Sequence, residues 1–220
     1  MDDLEGAARI EQAISAIGRG GLAIVVDSAT GEGEGDLVMA AEHASAEAIN
    51  FMVTHGRGLV CVPMLANRLQ ELAIPPIPSR GIDPLGTAFH ISVDYLPQTT
   101  TGISAADRAA TARALAGRDN TWTDFVRPGH LVPLCYAEGG VLSRAGHTEA
   151  AIDLVKMAGC APVAVICDIL SDDGRMARGP ELLELGDRHG LPVITIAGLG
   201  GRRLHEESIG LDAVLTACAR

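Results

Sequence analysis

The sequence predicts an α/β (α+β) fold, a single domain over residues 1–220 with a mixed β-sheet covered by helices. Two observations carry this. Short apolar runs of strand length alternate with longer segments of helical periodicity along the whole chain. No internal repeat, low-complexity tract or linker-like stretch interrupts the alternation.

The elements follow in order. Leu4 to Ile17 places apolar residues at Ala7, Ile10, Ala13, Ile14 and Ile17, one helix face, which ends at Gly18 and the Gly20-Gly21 pair. Leu22 to Val26 is a buried strand. The polar stretch Asp27-Ser-Ala-Thr-Gly31-Glu32-Gly33-Glu34-Gly35-Asp36 follows, and the apolar residues from Leu37 to Ala48 are expected to open a helix. Ser45 is expected to cap a further short helix, Ala46 to Thr54. Gly58 to Pro63 is a second buried strand, and Asn67 to Leu72 a short helix. Ile74-Pro-Pro-Ile-Pro78 is a loop, since proline lacks the N–H that regular structure needs. Thr87 to Asp94 alternates as a strand.

Ser104 caps a helix through Leu115, with Asp107 at its third position and an Asp107–Arg108 ion pair expected there. Phe125 to Leu134 carries an Arg127-Pro-Gly-His130 turn. Glu149 to Ala158 is a strong helix ended by Gly159, and Val163 to Cys167 a strand ending on Asp168. After a Ser171-Asp-Asp-Gly174 turn come a helix from Pro180 to His189, a last strand from Leu191 to Ile196, and a final helix from Leu199.

Composition narrows the function. Hydrophobic residues make up 47% of the chain and aromatics 3%, so the core must be built of Ala, Val, Leu and Ile. No apolar run approaches the roughly 20 residues of a membrane span. The high mean hydropathy, +0.23, therefore points to apolar surface covered in an oligomer. The net charge of −11 disfavours nucleic acid and anionic membrane as partners. Five cysteines without a C-x-x-C pair read as reduced thiols, and Met1-Asp-Asp-Leu-Glu5 lacks the features of a signal peptide, so a cytoplasmic location is expected.

Two stretches carry chemistry. Glu32, Glu34 and Asp36 alternate with glycines, and such close carboxylates need either water screening or a bound cation. A dinucleotide fingerprint is excluded, because the glycines run G-x-G-x-G and acids would face a pyrophosphate. An EF-hand starting at Asp27 is excluded by Ala29 and Gly31 at ligand positions. The second stretch offers Arg144, His147 and Thr148 in a glycine-flanked loop before a helix, where His147 is placed either as a ligand or as an exposed loop residue.

Taken together, Glu32-x-Glu34-Gly35-Asp36, Gly58-Leu-Val-Cys61, Thr101-Gly-Ile-Ser104-Ala-Ala-Asp107-Arg108, Arg127-Pro-Gly-His130, Arg144-x-Gly-His147-Thr148-Glu149-Ala150, Asp172-Asp-Gly174 and Met176-Ala-Arg178 occur in an order that resembles the 3,4-dihydroxy-2-butanone 4-phosphate synthase family, over about residues 10–199. The resemblance implies a Mg²⁺ (or Mn²⁺)-dependent carbon–carbon lyase of riboflavin biosynthesis. Such an enzyme converts D-ribulose 5-phosphate to 3,4-dihydroxy-2-butanone 4-phosphate and formate, and acts as a homodimer. Position by position, Glu32 and His147 match the metal ligands, Asp36 a substrate contact, and Arg144, Ala145, Gly146, His147 and Thr148 the substrate-binding loop. His130 matches an essential residue, here assigned to proton transfer. Asp168 takes the place of the family's essential glutamate, in contact with substrate. The absence of a cysteine cluster for a fused GTP cyclohydrolase II domain implies the monofunctional form.

Three positions depart from the family. Gly31 stands where the family has arginine, Gly33 where it has asparagine, and Asp168 where it has glutamate. Losing a charged hydrogen bond costs on the order of 1.5–3 kcal/mol, and Arg57 or Arg80 are the candidates to replace the missing arginine. The departures leave open a paralogue that acts on another sugar phosphate or stops at an earlier step, and a non-catalytic sugar-phosphate-binding domain.

Overall fold

The structure is a computed structural model that describes residues 3–28, 33–78 and 88–218, without the side chains of 3–5, 207 and 209–218. Along the chain run α1 (Asp3–Gly18), β1 (Ala23–Val26), β2 (Gly35–Ala40), α2 (Ala46–Phe51), β3 (Arg57–Met64), α3 (Ala66–Glu71), β4 (Ala88–Phe89) and β5 (Val93–Tyr95). Then come α4 (Ala105–Ala116), β6 (Phe125–Cys135), α5 (His147–Met157), β7 (Ala164–Ile169), α6 (Pro180–His189), β8 (Val193–Thr195) and α7 (Ile196–Cys218).

The strands form one mixed sheet in the order β4-β6-β3-β7-β2-β1-β8, with β5 added to β6. The pairs β1–β8 and β3–β6 are parallel, and the remaining pairs are antiparallel. β1 and β2 are buried on both faces along their whole length. In β1 and β2, Ile24, Val26, Leu37 and Met39 enter one core, while Ala23, Val25, Val38 and Ala40 enter the other. The first core packs α2, α3, α4 and α6 through residues such as Ile49, Leu69, Leu115 and Leu182. The second packs α1, α5 and α7 through Ile17, Ala151, Leu154 and Leu199. Small and branched aliphatic residues fill both, and Phe125 is the aromatic member among the buried core residues.

Several expectations are overturned. The segment from Leu37 is a strand followed by a 3-10 turn, Ala41–His43, and not a helix. β2 lies between β1 and β7 with all six residues buried, so it lacks the polar alternation that marks a half-exposed strand. The helix capped by Ser45, whose hydroxyl accepts from Ala48 N–H at 3.1 Å, ends at Phe51 and gives way to a π turn, Met52–Gly56. The strand expected from Thr87 is two short pieces, β4 and β5, and Thr87 itself lies outside the described residues. β6 accommodates Pro128 and Pro133 within eleven residues.

Asp107 is not ion-paired with Arg108. Its carboxylate accepts from Thr100 N–H (3.1 Å), Thr100 Oγ1 (2.8 Å) and Gly102 N–H (3.0 Å), and these bonds hold it below the usual carboxylate range. Ser104 caps α4 as expected, accepting from Asp107 N–H at 3.0 Å.

Candidate active site at one end of the sheet

Strand register gathers the expected residues at one end. Asp36 of β2 lies opposite Asp168 of β7. Cys61 of β3 lies opposite both Ile166 of β7 and Val132 of β6. Two residues back along each strand brings Asp168 and His130 to one level. Their side chains share the face of Val38, Cys61 and Ile166, the face on which α5 packs. At about 4.8 Å per strand, His130 stands roughly 10 Å from Asp168 along the sheet.

Asp36 is 5% exposed. Burial raises its carboxyl from 3.8 to about 6, and Asp168, Asp27 and Glu34 push in the same direction while His147 opposes them. His147 is the first residue of α5, and its Nε2 is buried without a hydrogen-bond partner. A buried imidazole nitrogen without a partner beside several carboxylates is a mixed nitrogen and oxygen donor set open to a divalent cation, with the carboxylates the part that suits Mg²⁺ or Mn²⁺. Glu32, the other expected ligand, and Gly31 lie outside the described residues.

The acidic turn is closed by Asp27 N–H donating to Glu34 O at 3.1 Å. Glu34 pairs with Arg178. A Cβ on Gly33 would stand 1.8 Å from Asp27 Oδ1 and 2.7 Å from Ser28 Cβ, so this turn has no room for the family's asparagine. Arg57 turns elsewhere, to Asp172 at 2.7 Å, and Arg80 lies outside the described residues.

Asp168 is fixed by β3. Its Oδ2 accepts from Leu59 N–H at 3.0 Å, at the irregular register between Arg57 and Val60. The Cβ position of Gly58 lies 2.5 Å from Asp168 Cβ, so glycine lets the two strands close on the carboxylate. Desolvation drives the nearby Cys61 and Cys167 thiols well above their ordinary range, and the charges of Asp168 and Asp36 add to the effect.

Around the start of α5, Arg144 Nη1 donates to Glu149 Oε2 at 2.8 Å, and Glu149 Oε1 accepts from Ala137 N–H at 3.0 Å. Glu149 is fully buried, so this charge is matched on both oxygens. The pair passes over Gly146, whose Cβ position is 2.7 Å from Glu149 Oε2 and 3.2 Å from Arg144 Nη1. Ala145 is exposed and Thr148 is buried in the first turn. The free N–H groups of that turn make an anion cradle.

His130 is held by a residue that the sequence did not single out. Asp94 Oδ2 contacts His130 Nδ1 at 2.7 Å, and Asp94 Oδ1 accepts from His130 N–H at 2.8 Å. An acid at the end of a short alternating strand, thirty-six residues from its partner, gave no local signal. Gly102 (φ +91°) makes room, with its Cβ position 2.1 Å from Asp94 Oδ2 and 2.6 Å from His130 Nδ1. With Nδ1 donating to a carboxylate, Nε2 is the basic nitrogen.

Comparison with known proteins identifies the family and the fold. The family model of 3,4-dihydroxy-2-butanone 4-phosphate synthase matches residues 11–200. The 3,4-dihydroxy-2-butanone 4-phosphate synthase of Agrobacterium fabrum is 53% identical over 192 residues, covering 87% of this chain and 90% of that protein. Riboflavin biosynthesis protein RibBA of Aquifex aeolicus is 50% identical over 202 residues, which are 91% of this chain and 50% of that protein. The chain thus spans about half the length of the RibBA proteins it matches. A crystal structure of 3,4-dihydroxy-2-butanone 4-phosphate synthase in complex with two magnesium ions superposes with a TM-score of 0.84 at 41% identity, over 90% of this chain and 97% of that one. The Candida albicans synthase superposes with a TM-score of 0.81 at 42% identity, over 88% and 96%.

Proposed function

The chain belongs to the 3,4-dihydroxy-2-butanone 4-phosphate synthase family, and from that premise we propose that it converts D-ribulose 5-phosphate to 3,4-dihydroxy-2-butanone 4-phosphate and formate, with Mg²⁺ or Mn²⁺ as cofactor. The observation that carries this is the unpartnered Nε2 of His147 beside Asp36 and Asp168, at the start of α5.

The reaction begins with proton removal next to a ketone, continues through loss of water and rearrangement of the carbon skeleton, and ends with departure of one carbon. Each stage puts negative charge on substrate oxygens. His147 and Glu32 are the residues that would hold the cation, which when bound supplies Lewis-acid stabilisation of that charge. Arg144, the Thr148 hydroxyl and the first N–H groups of α5 bind the phosphate. Asp36 meets a substrate hydroxyl. His130, oriented by Asp94, moves a proton at Nε2, and Asp168 serves as the second acid–base group.

A second reading keeps the sugar phosphate but alters the outcome. Gly31, the tight Gly33 turn and the short Asp168 carboxylate tied to Leu59 favour it, since acid–base catalysis is sensitive to shifts of about 1 Å. Consumption of substrate without formate would select this reading.

We further propose that the family unit is a single domain over residues 1–220, with its core at about 10–199, acting in the cytoplasm as a homodimer. No described helix is long and apolar enough to cross a membrane. Leu96, Ile103, Trp122 and Val126, each at least 40% exposed, lie on and around β5 and β6, and supply an apolar face for a second copy. The site assignment is tested by His147→Ala and Glu32→Gln. Both variants are expected to keep the fold, by circular dichroism, and to lose metal-dependent turnover. Unchanged turnover in either would sink the assignment.

A further inference from the structure

A second group of ligating side chains lies at the other end of the β2–β7 ladder. Glu42 and His43 occupy the 3-10 turn after β2, and Cys160 follows Gly159 (φ +75°) beyond the end of α5. One carboxylate oxygen, one imidazole nitrogen and the thiol sulfur lie within 4.8 Å of one another. His43 Nε2 and Glu42 Oε1 are 3.9 Å apart, and the Cys160 thiol donates to Ala158 O at 3.9 Å, a weak bond that a metal would replace.

The backbone around them is fixed. Ala41 N–H donates to Val163 O at 3.0 Å, Ala161 N–H to Glu42 Oε1 at 3.3 Å, and Ala44 N–H to Ala41 O at 3.1 Å. Gly20 (φ +80°) backs His43, its Cβ position 3.2 Å from His43 Cβ. The paired residues run from Asp36–Asp168 to Ala40–Ala164, so roughly 14 Å of strand separates this cluster from the acidic end.

We propose that Glu42, His43 and Cys160 form a structural site for a thiophilic divalent cation of the zinc class, separate from the magnesium site. The donors differ in kind. Magnesium takes oxygen ligands and has little use for a thiolate, whereas zinc takes sulfur, nitrogen and oxygen at about 2.0–2.3 Å, which sets neighbouring donors about 3.5 Å apart. The present spacing closes to that by rotation of two exposed side chains, Glu42 and His43, on a fixed backbone. Water takes the fourth position. On binding, the sulfur–metal bond forms as the thiol proton leaves to solvent, with no change of oxidation state. The bound cation ties the exit of β2 to the exit of α5, and binding to the folded state alone stabilises it by mass action.

Cobalt(II) is the probe. Full-length protein stripped with EDTA and then saturated with Mg²⁺ receives equimolar Co²⁺. A thiolate-to-cobalt charge-transfer band in the near ultraviolet, with tetrahedral bands in the visible, is expected. The band should vanish in Cys160→Ala and weaken in His43→Ala, and persist in Cys61→Ala, whose thiol lies by the acidic end. Zn²⁺ should raise the melting temperature of the parent and not of Cys160→Ala, while Mg²⁺-dependent turnover stays unchanged in that variant. Absence of the band in the parent overturns the proposal. So does a band that survives in Cys160→Ala.

Discussion

Replacing Asp36 by asparagine should stabilise the metal-free protein at neutral pH while abolishing turnover. Burial raises the Asp36 carboxyl from 3.8 to about 6. A shift of about two units is worth about 3 kcal/mol. Because the folded value lies above the unfolded one, the carboxyl carries no penalty below about pH 4, where both states are protonated. The penalty grows as pH rises from about 4 to about 6, where the unfolded chain releases the proton first, and is complete above that. Asparagine has no charge to bury and escapes it. The variant should therefore match the parent near pH 3.5–4 and exceed it by about 3 kcal/mol at pH 7.5, a gain of roughly 6–12 °C in melting temperature for a domain of this size. Urea unfolding in EDTA at the two pH values, followed by circular dichroism, measures the gap. A variant no more stable than the parent at pH 7.5, or a gap equal at both pH values, would refute the reasoning. Such an exchange of stability for function is common where charged groups converge on a site.

The other perturbations act on single contacts. Asp94→Asn leaves His130 in place but removes the acceptor that fixes its tautomer, so kcat should fall by about 10²–10⁴-fold with KM nearly unchanged. A larger change in KM than in kcat would argue against it. Gly146→Ala drives a methyl into the Arg144–Glu149 pair, so KM for the phosphorylated substrate should rise by about tenfold to a hundredfold. Phosphate-competition binding that is unaltered would contradict this. Gly33→Asn, which restores the family's residue, collides with Asp27 and Ser28 and should cost about 1–3 kcal/mol. Thermal melts showing no loss would mean that the turn relaxes freely.

The sequence made some elements plain and concealed others for physical reasons. β1, β3 and β7 read as strands because their short apolar runs are bounded by glycine, proline or aspartate, and α6 matched its expected ends because Pro180 and Gly190 punctuate it. β2 was hidden because a strand buried on both faces looks like any apolar run, and only its pairing with β1 and β7 makes it a strand. The site followed the same division. His147, Arg144 and Thr148 sit in one contiguous loop and were legible together. Asp94 and Leu59 act on His130 and Asp168 across strand pairs, and no local pattern records such contacts. Asp107 has the spacing of a helix-start acid, yet its carboxylate serves the Thr100–Gly102 turn that packs beside Asp94 and His130.

The most direct measurement is the fate of D-ribulose 5-phosphate mixed with the purified protein and Mg²⁺, with products followed by NMR. Formate and the four-carbon phosphate should appear together in equal amounts, and both should cease when EDTA is added. Folded protein that releases no formate in the presence of Mg²⁺ would contradict the synthase assignment.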